Sequence, residues 1–206
     1  MNKYFVSMAF IGLMGLGPLG WCSGLSAAKV PGFDSAQVLA KEAWPHFNAI
    51  YLAPTQLAFN KQWLKDRGQK ISSAEREQLQ AQYSELMDKN VRERLRARGW
   101  QLQPAPGPDT LTLSTNVTDF FLNAPDMEPT ISKSYVRVAG FAQVEFTLSQ
   151  TDGTVLAKLN DYSETHEKPG GQLGLTNRGL NRWDFGHLMQ RWSTRLTEFL
   201  PAPEQT

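Results

Sequence analysis

Asp161, Glu164 and His166 lie in one short segment, TVLAKLNDYSETH, and two carboxylates beside an imidazole are the groups that general acid–base hydrolysis uses. On an extended strand the side chains of Glu164 and His166 fall on the same face, where they could pair as acid and base or hold a metal loosely. The plainer reading is that they are ordinary surface residues near a strand end. The other marks of catalysis are missing. Of three histidines, His46, His166 and His187, no two stand at metal-ligand spacing, and no Gly-x-Ser-x-Gly elbow raises a serine into a nucleophilic position. The glycines at Gly170, Gly171 and Gly174 lack the lysine–serine ending of a phosphate-cradling loop. Cys22 is the single cysteine, so neither an intramolecular disulfide nor a thiolate cluster is possible. The sequence therefore implies no cofactor and no metal.

Side chains suited to contact are easier to find. Trp44, Trp63, Trp100 and Trp183 lie outside the clearest apolar stripes, and the first three are candidate partner-binding residues. Against this stands a structural role, in which the indoles staple connectors and helix ends to the domain. Arg92, Arg94, Arg96 and Arg98 crowd the end of a helical segment and form a second candidate surface, for lipid headgroups, glycan phosphates or peptidoglycan carboxylates. They serve equally well as a solvated face that complements the partial negative charge of a helix C-terminus.

The elements that must hold these groups can be read from periodicity. Three segments, 110–122, 135–150 and 154–166, alternate apolar and polar residues as strands do, and Asp152-Gly153 joins the last two as a hairpin turn. Residues 48–63 read as a further strand, with Pro54 marking an edge or a bulge. Ser72-Ser73-Ala74-Glu75 is a capping box opening a helix over 73–98, which Gly99 ends. Phe185, Leu188, Met189, Trp192, Leu196, Phe199 and Leu200 form the apolar stripe of a helix over 184–200, stopped by Pro201. Asp34-Ser35-Ala36-Gln37 has capping-box spacing and predicts a short helix before Pro45. The expected fold is an α+β two-layer sandwich: a mostly antiparallel sheet of about four strands with two long helices on one face.

The chain also carries an address. Lys3 precedes an apolar, glycine-punctuated run that ends in Ser26-Ala27-Ala28, the plan of a secretory signal peptide cleaved after Ala28. The rival reading is lipidation at Cys22 in Leu19-Gly20-Trp21-Cys22, which the bulky Trp21 disfavours. The expected organisation is a signal peptide over 1–28, an extension with a short helix over 29–47, one domain over 48–200 and a tail over 201–206. Lysine and arginine total 21 against 20 acidic residues, so no overall field favours nucleic acid or anionic membrane. Membrane attachment would come only through a lipid on Cys22.

Tyr51-Leu52-Ala53-Pro54 with Trp63 beyond it, the run Pro106 to Leu113, Thr118-Asp119-Phe120, Ala142 to Phe146, Asp152 to Ala157, Asp161, and a closing helix with Trp183 and Trp192 together resemble the Domain of Unknown Function 3313 family. The likeness spans about residues 48–200, and its motifs are strand and turn signatures. It implies an exported Gram-negative envelope protein, of a family mostly held to be lipoproteins, with no established activity and no catalytic residues to carry over. The family's clean lipobox is spoiled here by Trp21. The expected function is a non-enzymatic envelope module, in the periplasm or lipid-anchored to the outer membrane, that binds protein, peptidoglycan or lipid. A periplasmic hydrolase using Asp161, Glu164 and His166 is the alternative.

Overall fold

The computed structural model describes residues 24–41, 44–67, 71–123, 134–136, 138–165, 174–176 and 178–203. The predicted lipidation site Cys22, Trp21 and His166 lie outside the described residues. In chain order the elements are β1 (Ser26–Ala28), β2 (Ser35–Val38), β3 (Ala49–Leu52), β4 (Gln56–Phe59), α1 (Lys61–Arg67), α2 (Ser73–Ala97), β5 (Gln101–Gln103), β6 (Thr110–Leu122), β7 (Ser134–Val136), β8 (Gly140–Ser149), β9 (Val155–Glu164), β10 (Gly174–Thr176) and α3 (Arg178–Phe199).

Strict alternation builds the centre of the molecule. Strand β8 buries every second residue, Ala142, Val144, Phe146 and Leu148 among them, and pairs antiparallel with β6 on one side and β9 on the other. Gly153 takes φ +88° in the β8–β9 turn, while the Asp152 carboxylate accepts the Thr154 N–H at 2.8 Å. In β6 the alternation slips once. Asp119 adopts φ +50° where the β6–β8 register shifts, so Leu111, Leu113 and Val117 point inward before the bulge and Phe120 and Leu122 after it.

The sheet does not stop at this meander. Among the described residues it has eight strands in the order β1-β2-β9-β8-β6-β3-β5, with β4 also on β6, and the pairs β3–β5, β3–β6 and β4–β6 are parallel. The expected sheet of about four mostly antiparallel strands with two long helices on one face is thus corrected, among the described residues, to a mixed eight-stranded sheet with three helices, plus the small β7–β10 pair. The added strands are only three or four residues long, too short for periodicity to register. Pro54 breaks one expected strand into β3 and β4. At the break the Thr55 N–H leaves the ladder and donates to the Asp88 carboxylate of α2 at 3.1 Å.

The predicted helix after Asp34 is likewise a strand. The Asp34 carboxylate does not cap anything locally; it accepts the Tyr162 backbone N–H at 2.8 Å, and β2 pairs antiparallel with β9. Residues 26–28 pair with β2 as β1, so cleavage after Ala28 would remove that edge strand.

Local chemistry sets α2 and the stripe of α3 where expected, while α1 begins inside the segment expected to be a strand over 48–63. Ser72 and Glu75 close a capping box on α2, and Gly99 at φ +87° ends it, turning Trp100 into the core. Asn60 caps α1, its side-chain oxygen accepting the Gln62 and Trp63 N–H groups at 2.8 and 3.1 Å. Helix α3 begins at Arg178, earlier than its apolar stripe. Phe120 touches both long helices: its ring centroid lies 4.8 Å from Tyr83 of α2 and 4.7 Å from Phe185 of α3. Each such tilted aromatic pair adds about 0.5–1.5 kcal/mol beyond the area it buries.

Two substitutions test this packing. A Cβ on Gly140 would sit 1.8 Å from the Phe121 carbonyl oxygen, so Gly140→Ala is expected to cost about 2–3 kcal/mol in denaturant unfolding. Thr115 Oγ1 is the buried side-chain polar atom left without a hydrogen bond among the described residues, and Thr115→Val is expected to raise stability by about 1 kcal/mol.

Candidate functional site

Helix α3 presents two stripes. Phe185, Leu188, Met189, Trp192 and Leu196 are fully buried, and the turns between them carry Trp183, His187, Gln190, Arg191 and Thr194 at intervals of three and four on the other side. With Arg195 and with Arg94 of α2 these residues line an open groove of about 520 Å3. Among the described residues no carboxylate lines it. Three guanidinium groups therefore face a shared space.

Each polar wall is held in its own way. The Arg195 Nη1 donates to the Gly32 carbonyl at 2.8 Å and to the Asp161 carboxylate at 3.2 Å. The Arg191 Nη2 donates to the Glu164 carbonyl at 3.2 Å. Burial first and the nearby Arg195 second push the Arg191 guanidinium below its ordinary range, against the pull of Asp161. Trp183 is 61% exposed, and the His187 ring meets it edge-on, with centroids 4.2 Å apart at 73°. An exposed indole braced on one side is a stacking platform.

Of the residues that suggested hydrolysis, the two that lie among the described residues, Asp161 and Glu164, are not gathered. Asp161 points inward from β9 and is 5% exposed, while Tyr162 and Glu164 point to the opposite, exposed face. The Asp161 Oδ2 is engaged three times, accepting from Trp192 Nε1 at 2.6 Å, Ser163 Oγ at 2.7 Å and Arg195. It is a docking group between strand and helix. Among the described residues no group of three or more histidine, cysteine or acidic side chains could hold a metal.

The three candidate tryptophans are core residues. Trp63 is fully buried, stacks on Phe59 at 4.3 Å and donates Nε1–H to the Leu122 carbonyl at 3.0 Å. Trp44 donates to the Leu39 carbonyl at 2.9 Å and packs edge-on against Phe199, and Trp100 is buried beside the end of α2. Each indole lies outside an apolar stripe because it reaches the core from a connector or a short helix, which periodicity does not report. Of the four candidate arginines, Arg94 lines the groove, whereas Arg92, Arg96 and Arg98 are exposed at the end of α2. The groove residues His187, Gln190, Arg191, Thr194 and Arg195 were missed, although the polar stripe opposite Phe185 and Trp192 was there to be read.

Two other features complete the surface. A cavity of about 460 Å3 lies beside the groove, sharing Arg195 and lined by Lys29, Lys41 and Phe199. Lys41 Nζ donates to the Phe199 carbonyl at 2.7 Å, and burial lowers its pKa. On the far face of the sheet Phe121 stacks on Phe141 at 4.8 Å, and Tyr162 meets Phe141 at a tilt of 42° and 5.7 Å. Burial, then Glu164 and Asp119, raise the Tyr162 hydroxyl pKa. Among the described residues no helix is long and apolar enough to cross a membrane.

No family model matches the chain, and no curated protein matches it. Among solved structures, a dodecamer formed by a PelC variant from Paraburkholderia phytofirmans is 12% identical over 73% of this chain and 92% of its own, with a TM-score of 0.34. A minor lipoprotein from Acinetobacter baumannii is 13% identical over 72% of this chain and 92% of its own, also at 0.34. A PDZ domain protein from Parabacteroides distasonis is 11% identical over 72% of this chain and 32% of its own, at 0.33. At these scores the likenesses carry no argument about fold or function.

The docking role of Asp161 has a measurable signature. Asp161→Ala leaves the Trp192 Nε1–H buried without its acceptor and is expected to cost about 3 kcal/mol in chemical unfolding. Asp161→Asn keeps an acceptor and should cost clearly less. Equal losses would mean that the hydrogen bond to Trp192 contributes little.

Proposed function

We propose that the chain is an exported, non-enzymatic cell-envelope protein that works by binding an anionic partner in the α3 groove. One observation carries this reading: three arginines and an exposed tryptophan converge on one groove whose lining, among the described residues, holds no carboxylate. Arginine forks recognise carboxylates and phosphates in two-point fashion, and an indole supplies contact area at low entropic cost. The placement of Asp161 and Glu164 on opposite faces of β9 weighs against the hydrolase alternative.

Export rests on the leader-like sequence of residues 1–28 and on the resemblance to the Domain of Unknown Function 3313 family, and membership of that family is itself part of the proposal. Lipidation of Cys22 would hold the protein at the outer membrane, and cleavage after Ala28 would release it into the periplasm.

Cosedimentation with washed envelope fragments tests the binding role. The exported protein is expected to sediment with them at low salt and to release as ionic strength rises, because exposed charge pairs are screened. Arg94→Gln with Trp183→Ala should reduce the bound fraction by about tenfold, in line with loss of one charge-assisted contact and one stacking surface. Undiminished sedimentation of that double variant, or ester or glycan hydrolysis abolished by Glu164→Gln, would overturn the reading.

A further inference from the structure

Resting on the binding reading above, we infer that the α3 groove receives a carboxylate-bearing sugar residue of a glycan strand, its ring face on Trp183 and its carboxylate between Arg94 and Arg191. The groove is walled by two helices, whose backbone N–H and C=O groups bond within each helix. Among the described residues it therefore offers a ligand side chains only. A peptide in extended form looks for a sheet edge with unpaired backbone, and none of the lining residues belongs to a strand.

What the side chains offer fits a sugar acid. A pyranose ring presents a face of C–H bonds to an aromatic platform, and the Trp183 indole, braced by His187 at 4.2 Å and 61% exposed, is such a platform. Ring hydroxyls need small neutral partners that both donate and accept, which Gln190 and Thr194 supply on the next turns. A carboxylate needs a guanidinium fork, and Arg191 and Arg94 come from the two walls. Arg195 donates to Gly32 and Asp161, and Arg191 Nη2 donates to the Glu164 carbonyl, so both hold the floor in place while they add positive potential behind the carboxylate.

Size and surroundings narrow the choice. About 520 Å3 is within the range of small-ligand sites and leaves room for one or two sugar rings with both ends of the strand passing out through the open sides. A lipid headgroup would share the anion chemistry, but acyl chains need an apolar surface beside it. The large hydrophobic residues exposed among those described are only Trp183 and Tyr162, and Tyr162 stands on the sheet face away from the core. Single-stranded nucleic acid would also use charge, yet it needs successive platforms on which its bases stack, and Trp183 is the single exposed tryptophan among the described residues in a chain of net charge +1.

The test is a fluorescence and calorimetric titration of the exported protein with tetragalacturonate, using the carboxyl-reduced tetrasaccharide, phosphatidylglycerol vesicles and an oligo(dT) strand as controls. The acidic tetrasaccharide is expected to bind and to perturb tryptophan emission, and the carboxyl-reduced one to bind at least about tenfold more weakly. Arg94→Gln and Trp183→Ala should each weaken binding of the acid by about tenfold, with Arg94→Lys recovering part of the loss. Both positions are at the surface, and unchanged unfolding transitions would show that the fold is intact.

Equal affinity for acidic and reduced sugars overturns the inference, as does vesicle or oligo(dT) binding that outcompetes the tetrasaccharide. If the tetrasaccharide fails while Arg94→Gln still reduces cosedimentation with envelope fragments, the sugar acid is wrong and the binding role survives. Failure of both measurements removes the two together.

Discussion

A buried carboxylate on β9 ties helix α3 to the sheet. Asp161 leaves β9 on the inner face, where an ionised group is costly unless its oxygens are satisfied, and it meets Trp192 Nε1 at 2.6 Å, Ser163 and Arg195. Those contacts fix both the depth and the rotation of α3 on the sheet. Arg195, anchored by the same carboxylate, reaches past it to the Gly32 carbonyl and so clamps the chain before β2. Gly32 permits this because a Cβ there would lie 2.6 Å from the arginine's Cδ. Without the carboxylate, Trp192 Nε1 loses its acceptor and Arg195 one of its two anchors.

The rotation of α3 links folding to function. With Phe185, Leu188 and Trp192 committed to the core, the opposite stripe has no freedom in where it points, and Trp183, His187 and Arg191 must face outward beside Arg94. The aromatic cluster of Tyr83, Phe120 and Phe185 fixes the other contact that matters, since it holds α2 against α3 and with it the two walls of the groove. Recognition groups on rigid helices cost less entropy to order than groups on loops. Among the described residues, Asp161 and Glu164 leave β9 on opposite faces.

How far the sequence disclosed this follows from how local each signal is. The α2 cap, the Asp152-Gly153 turn and the stripe of α3 are written in neighbouring residues, and all three stand where expected. Strands β1 to β5 are brief, and four of them pair with segments far away in the chain, so no window of sequence contains their reason. Asp34 shows how the same spacing misleads. Its side chain is where a helix cap would be, yet it finds the backbone of Tyr162, 128 residues on. The site was half visible: Arg94 could be named from a run of cations, but Trp63 and Trp100 took the place of Trp183 because exposure depends on tertiary packing.

Indole N–H resonances of the tryptophans offer the most direct measurement, because buried and exposed rings report separately in one spectrum. On titration with acidic oligosaccharide the Trp183 signal is expected to move with saturation, while those of Trp44, Trp63, Trp100 and Trp192, held in the core, stay in place. A Trp183 signal that stays in place at saturating oligosaccharide, or movement of the core signals instead, would contradict the account.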